Sequence, residues 1–182
     1  PEIEVAIQYV RRCRRSLDET LFKEFNPKKE RWLINGSAGM GKSVLLAYAA
    51  AVLCSGYELT TFQGDEYIQP ASDKLESIGF DISGKNKLIW IVSNSIRQNE
   101  SIKEWYNHFI KKFREADRKG EVKFIQPEFI LLRKDEELRR GKPSAILIDE
   151  AHDLPEYAER TLAEKYNDEQ FYLVAACDRH QK

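Results

Sequence analysis

Apolar positions along the chain fall into two spacings. Arg31-Trp32-Leu33-Ile34-Asn35, Leu88-Ile89-Trp90-Ile91-Val92, Ala145-Ile146-Leu147-Ile148 and Phe171-Tyr172-Leu173-Val174-Ala175-Ala176 are short runs with no polar alternation. Such runs mark strands covered on both faces, as in parallel sheets flanked by helices. Between them the spacing becomes helical. Ile102, Trp105, Tyr106, Phe109, Ile110 and Phe113 recur at i, i+3, i+4, i+7, i+8 and i+11, which predicts a helix whose aromatic stripe faces a core. Lys42 to Leu53 and Glu156 to Tyr166 predict two more helices. Ile3, Ile7, Val10, Leu17, Leu21, Phe22 and Phe25 predict one or two amphipathic helices at the start, with Arg11, Arg12, Arg14 and Arg15 on a solvated face.

Two stretches are less regular. Val122 to Ile125 predicts a short strand, and Glu128 to Arg140 a charged helix closed by Gly141 and Pro143. Residues 56–87 are polar and punctuated by Gly64, Pro70, Gly79 and Gly84, so an irregular insertion is expected, with a short helix near Asp73 to Ile78. Strands alternating with helices throughout imply an α/β fold: a doubly wound parallel sheet with right-handed crossovers and helices on both faces.

Composition narrows this further. A chain of 182 residues holds one sizeable core, so a single domain over 1–182 is expected. Its 29 Lys plus Arg against 30 Asp plus Glu provide no global field toward nucleic acid or anionic lipid, and any polyanion must be met by a local patch. Cys13, Cys54 and Cys177 are widely separated, which predicts thiols in a reducing compartment and neither a disulfide nor a metal cluster. No apolar run approaches the ~20 residues a bilayer span requires, and no signal peptide is evident, so a cytoplasmic location is expected. Pro1 in place of methionine, and a stop at Lys182 just after an apolar run, suggest a piece of a larger protein.

The chemistry is concentrated in two motifs. Gly36-Ser37-Ala38-Gly39-Met40-Gly41-Lys42-Ser43 fits G-x-x-x-x-G-K-[ST] and lies between a predicted strand and a predicted helix. Glycines let consecutive backbone N–H groups turn toward phosphates, and the helix N-terminus adds its positive dipole end. Lys42 can reach the β- and γ-phosphates, and the Ser43 hydroxyl suits the shell of Mg²⁺. The second motif is Ala145-Ile146-Leu147-Ile148 followed by Asp149 and Glu150. A buried strand delivers Asp149 to the carboxyl edge of the sheet, where it can hold the metal shell. Glu150 is left to orient and deprotonate an attacking water. ATP and Mg²⁺ are the expected cofactors.

G-S-A-G-M-G-K-S together with I-L-I-D-E-A-H resembles motifs I and II of the helicase superfamilies, within the P-loop NTPases that carry a catalytic Glu beside the metal Asp. Leu173 to Gln181, with Cys177 in place of the usual glycine, is similar to motif III of superfamily 1 helicases of the UvrD type. The resemblance implies a RecA-like first motor lobe, a γ-phosphate-sensing role for Gln181, a single nucleic-acid strand as partner, and a second RecA-like lobe that this chain lacks. It also places Ser93, Asn94 and Ser95 where the family touches the DNA backbone, although loop capping by these residues is an equally good account. A switch ATPase of the AAA or signalling type, controlling protein assembly, shares the same loop and carboxylates and stands as the alternative. A non-catalytic domain with a vestigial loop is a third reading, opposed by the intact Lys42, Ser43, Asp149 and Glu150.

Overall fold

The structure, a computed structural model, describes residues 31–35, 42–77, 87–132, 138, 140–151, 154–169 and 172–177. The elements in chain order are β1 (Arg31–Asn35), α1 (Lys42–Ser55), β2 (Tyr57–Phe62), β3 (Asp65–Pro70), α2 (Ser72–Ser77), β4 (Ile89–Ser93), α3 (Ile96–Ala116), β5 (Glu128–Leu131), β6 (Ala145–Ile148), α4 (Glu156–Glu169) and β7 (Tyr172–Cys177).

Five strands form one sheet in the order β1-β7-β6-β4-β5, and every pairing in it is parallel. Strand alternation sorts the side chains into two cores. Ile89, Ile91, Ala145, Leu147, Val174 and Ala176 pack with α1 and α3. Trp90, Val92, Ile146, Ile148 and Ala175 pack on the other face with Leu138 and with Ala158 and Leu162 of α4. From β1 the chain moves across the sheet to β4 and β5 over the first face, then returns to β6 and β7 over the second. This is the doubly wound α/β architecture that the apolar runs predict.

The helices differ because their sequences do. α1 is apolar on all sides and is buried without interruption from Leu45 to Cys54, so it lies between the sheet and α3 and not at the surface. There Tyr48 meets Phe109 and Phe113 edge-on, with ring centroids 5.5 and 5.9 Å apart. α3 buries a single stripe that includes Asn99, Ile102, Tyr106, Phe109 and Phe113. The Ser95 hydroxyl caps it by accepting from the Gln98 N–H at 3.2 Å.

Three expectations are corrected. Tyr57–Phe62 and Asp65–Pro70 form an antiparallel hairpin, followed by the short helix α2, so the described part of 56–87 is regular chain. Gln63 and Gly64, with φ of 51° and 82°, make the two-residue turn; both central residues of a type I′ turn need positive φ. The hairpin is fastened to α1 by the Leu59 N–H, which donates to the Tyr48 hydroxyl at 3.1 Å. Second, Glu128–Leu131 is strand β5, paired with β4, and not the start of a helix. Third, Val122 to Ile125 has no ladder partner: the Ile125 N–H instead donates to the Cys54 carbonyl at 2.9 Å, which seats the segment against the end of α1.

Among the described residues no helix is long and apolar enough to cross a membrane. Cys54 is a free, buried thiol.

Candidate functional site

Asp149 follows β6 directly and continues its alternation, so its carboxylate falls on the face shared by Ala145 and Leu147, where α1 begins. The Ser43 hydroxyl donates to Asp149 Oδ1 at 2.9 Å and joins residues 106 positions apart. The same oxygen accepts from the Glu150 N–H at 3.1 Å. Asp149 is 3% exposed and Lys42 is 8% exposed, so a carboxylate, an ammonium group and a hydroxyl share one nearly dry edge of the sheet.

Burial raises the Asp149 carboxyl above its ordinary pKa. The Ser43 hydrogen bond opposes the rise, the like charge of Glu150 adds to it, and the Glu150 N–H and Lys42 pull back. A cation arriving beside Asp149 would favour the ionised form by the same electrostatics. Ser43 and Asp149 are hard oxygen donors, the type Mg²⁺ takes when it keeps several waters and phosphate oxygens for the rest of its shell. No group of three or more His, Cys, Asp or Glu suited to a metal occurs among the described residues. The donors at this edge therefore fit a metal brought in with a phosphate ligand, and not a protein-only cage.

Glu150 is half-buried and has φ of 51°. A left-handed backbone at a residue with a side chain is strained, and such strain clusters at functional sites. It turns the chain sharply after β6, so the Glu150 side chain leaves the strand's alternation.

Of the residues predicted from sequence, Lys42, Ser43, Asp149 and Glu150 are brought together at the carboxyl edge. Gly36, Ser37, Ala38, Gly39, Met40, Gly41 and Gln181 lie outside the described residues. β1 and α1, which flank the glycine-rich segment, are in place on either side of it. In the Ser93–Ser95 stretch, Ser95 caps α3, Ser93 is fully buried, and the Asn94 N–H donates to Gln98 Oε1 at 3.2 Å. The capping account is the one realised at Ser95.

Sequence reasoning missed Asn99. It is 7% exposed on the buried stripe of α3, and its side-chain nitrogen has no hydrogen-bond partner; the Ser93 hydroxyl is likewise buried without one. The available signal was Asn99 itself, an amide three residues before Ile102 on an otherwise apolar face.

The fold and the edge together define an α/β protein with a doubly wound parallel sheet and a polar cluster at its carboxyl end. No family model matches the chain, and no curated protein matches it. Among solved structures it is similar to an ATPase-domain variant of the large terminase of Thermus phage P74-26, at 13% identity and a TM-score of 0.45, over 81% of this chain and 58% of that one. The chain thus spans 58% of the length of that structure.

Proposed function

We propose that the chain is a RecA-like P-loop NTPase domain that binds Mg·ATP on Gly36 to Ser43 and hydrolyses it. The hydrogen bond of 2.9 Å between Ser43 and Asp149 carries this reading, because it joins the end of the phosphate-loop motif to the strand-end carboxylate that a shared metal would require. Bound Mg²⁺ would supply charge neutralisation to the phosphates, held through Ser43 and Asp149. Lys42 offsets negative charge on the β- and γ-phosphates. Glu150 takes a proton from the attacking water as its oxygen bonds to the γ-phosphorus; the bond to the bridging oxygen breaks, leaving ADP and phosphate.

We further read the domain as the first motor lobe of a superfamily 1 helicase-like ATPase acting on a single nucleic-acid strand. The motif resemblance supports this reading, and a formal net charge of −1 means that contact with the strand depends on local groups. The test is a pair of variants assayed for binding and turnover. Lys42→Ala abolishes saturable Mg·ATP binding, whereas Glu150→Gln keeps binding and lowers hydrolysis by about 10²- to 10⁴-fold, the usual contribution of a general base. Wild-type protein that shows no saturable Mg·ATP binding would end the proposal. Turnover unaffected by single-stranded DNA or RNA, even with the remainder of a motor present, would remove the helicase-like part and leave a switch ATPase.

A further inference from the structure

Beside Asp149 the structure holds two hydrogen-bonding groups that the reaction above does not use. β4 and β6 are neighbours, with Val92 opposite Ile148, and the Asp149 N–H donates to the Val92 carbonyl at 3.0 Å. Ser93 therefore ends β4 level with Asp149. By alternation with Ile89 and Ile91, its side chain lies on the α1 and α3 face, the face that Asp149 shares. Asn99 comes one turn into α3, its backbone N–H bonded to the Ser95 carbonyl at 2.9 Å, and belongs to the stripe that α3 buries.

Ser93 is 0% exposed and Asn99 is 7% exposed, and neither Ser93 Oγ nor Asn99 Nδ2 has a partner. Buried polar atoms are almost always paired, because leaving one unmade forfeits its hydration with nothing in return. Two such atoms one strand away from a reactive edge call for an acceptor in another state of the protein. Asn99 Nδ2 can only donate. The acceptors that β6 delivers beside it are two carboxylates, and Asp149 Oδ1 already receives two hydrogen bonds. Glu150 is the other, carried on a left-handed backbone whose relaxation would redirect its side chain.

We propose that Ser93 and Asn99 are positioning residues that receive one oxygen of the Glu150 carboxylate when Mg·ATP is bound, which leaves its other oxygen aimed at the attacking water. The inference rests on the hydrolytic reading above. A carboxylate has lone pairs enough for both tasks, and fixing one oxygen removes the rotation that would otherwise spread the base over unproductive directions. The same two side chains leave the nucleotide-binding groups untouched, so binding and turnover should separate.

The experiment compares Ser93→Ala and Asn99→Leu with wild type in the 182-residue chain, by single-turnover hydrolysis of Mg·ATP and by titration with a non-hydrolysable analogue. We expect the hydrolysis rate to fall by about 10- to 100-fold, the scale of a small misplacement of a reacting group, with affinity within about threefold of wild type and the thermal midpoint unchanged or raised, because a buried unpaired polar group has been removed. In the Glu150→Gln background neither substitution lowers the rate further, because residues that act through one another are not additive. Ser93→Thr, which keeps the hydroxyl, retains most of the rate. Hydrolysis unchanged or faster in both variants, a loss that persists at full size in the Glu150→Gln background, or a loss explained by a lower thermal midpoint would each overturn the inference. A wild-type chain that does not bind Mg·ATP would instead strike the hydrolytic reading itself.

Discussion

At the scale of single residues, the burial that prepares the site also constrains ordinary groups nearby. Cys54 lies at the end of α1, and burial pushes its thiol from 9.0 up to about 12, against a smaller opposing effect of its hydrogen bond with Tyr106. A thiol that holds its proton more tightly when folded contributes stability that is fully present below the unfolded value of 9.0 and is lost as pH rises from there toward 12. Unfolding free energies measured between pH 8 and pH 11 should therefore decline with pH, and the decline should be shallower in Cys54→Ala. The same burial keeps the thiol out of its nucleophilic form. Gly141 is constrained differently: φ is +78°, and a Cβ there would lie 3.2 Å from both Leu88 Cδ2 and Trp90 Cζ2, so both backbone and space favour glycine.

At the scale of elements, the capping of α3 separates a structural role from a nucleic-acid role. Ser95→Ala should lower stability by about 1 kcal/mol, the usual value of an N-cap hydroxyl, as read from denaturant unfolding, while Mg·ATP affinity stays at the wild-type value. Elements defined by burial on two faces were readable in advance: β1, β4, β6 and β7 are runs with no room for a polar alternation, and α3 announces itself by its stripe. The hairpin β2–β3 was not readable, because a half-exposed ribbon mixes Tyr57, Glu58, Leu59 and Thr60 without a clean period and its turn is Gln63-Gly64, not the more telling Asn-Gly. β5 was lost because three apolar residues, Phe129, Ile130 and Leu131, run straight into a charged stretch that fits a helix equally well. The edge cluster of Lys42, Ser43, Asp149 and Glu150 was legible because each residue type has one chemical use at that spacing. The burial of Ser93 and Asn99 was not, since it depends on which way β4 and α3 face, and that is a property of packing.

At the scale of the whole molecule, a ligand that bridges α1 and β6 should stabilise everything between them. At about 100 times its dissociation constant, an ATP analogue with Mg²⁺ adds about 2.7 kcal/mol, which in a chain of this size is a rise of roughly 5–10 °C in thermal midpoint. Differential scanning fluorimetry should show that rise in wild type and not in Lys42→Ala. The described residues also contain a cavity of about 680 Å³, lined in part by Leu88, Trp90, Phe129, Arg140 and Gly141. It runs along edge strand β5 and away from Asp149, so size alone would have pointed to the wrong place, whereas the convergence of charge and hydroxyl points to the carboxyl edge.

The position of β7 bears on how such a chain comes into being. Among the described residues β1 pairs with β7 alone, although 136 residues separate Asn35 from Tyr172. During synthesis the earliest described strand therefore waits for the latest before it gains a neighbour, and closure across so long a span is slow. A nascent chain halted before Tyr172 could carry every phosphate-gripping group yet lack the plank that keeps β1 and β6 at a fixed separation. Nucleotide capture would then switch on late, once the last strand has cleared the ribosome, and a growing polypeptide would be shielded from idle turnover until its sheet is whole.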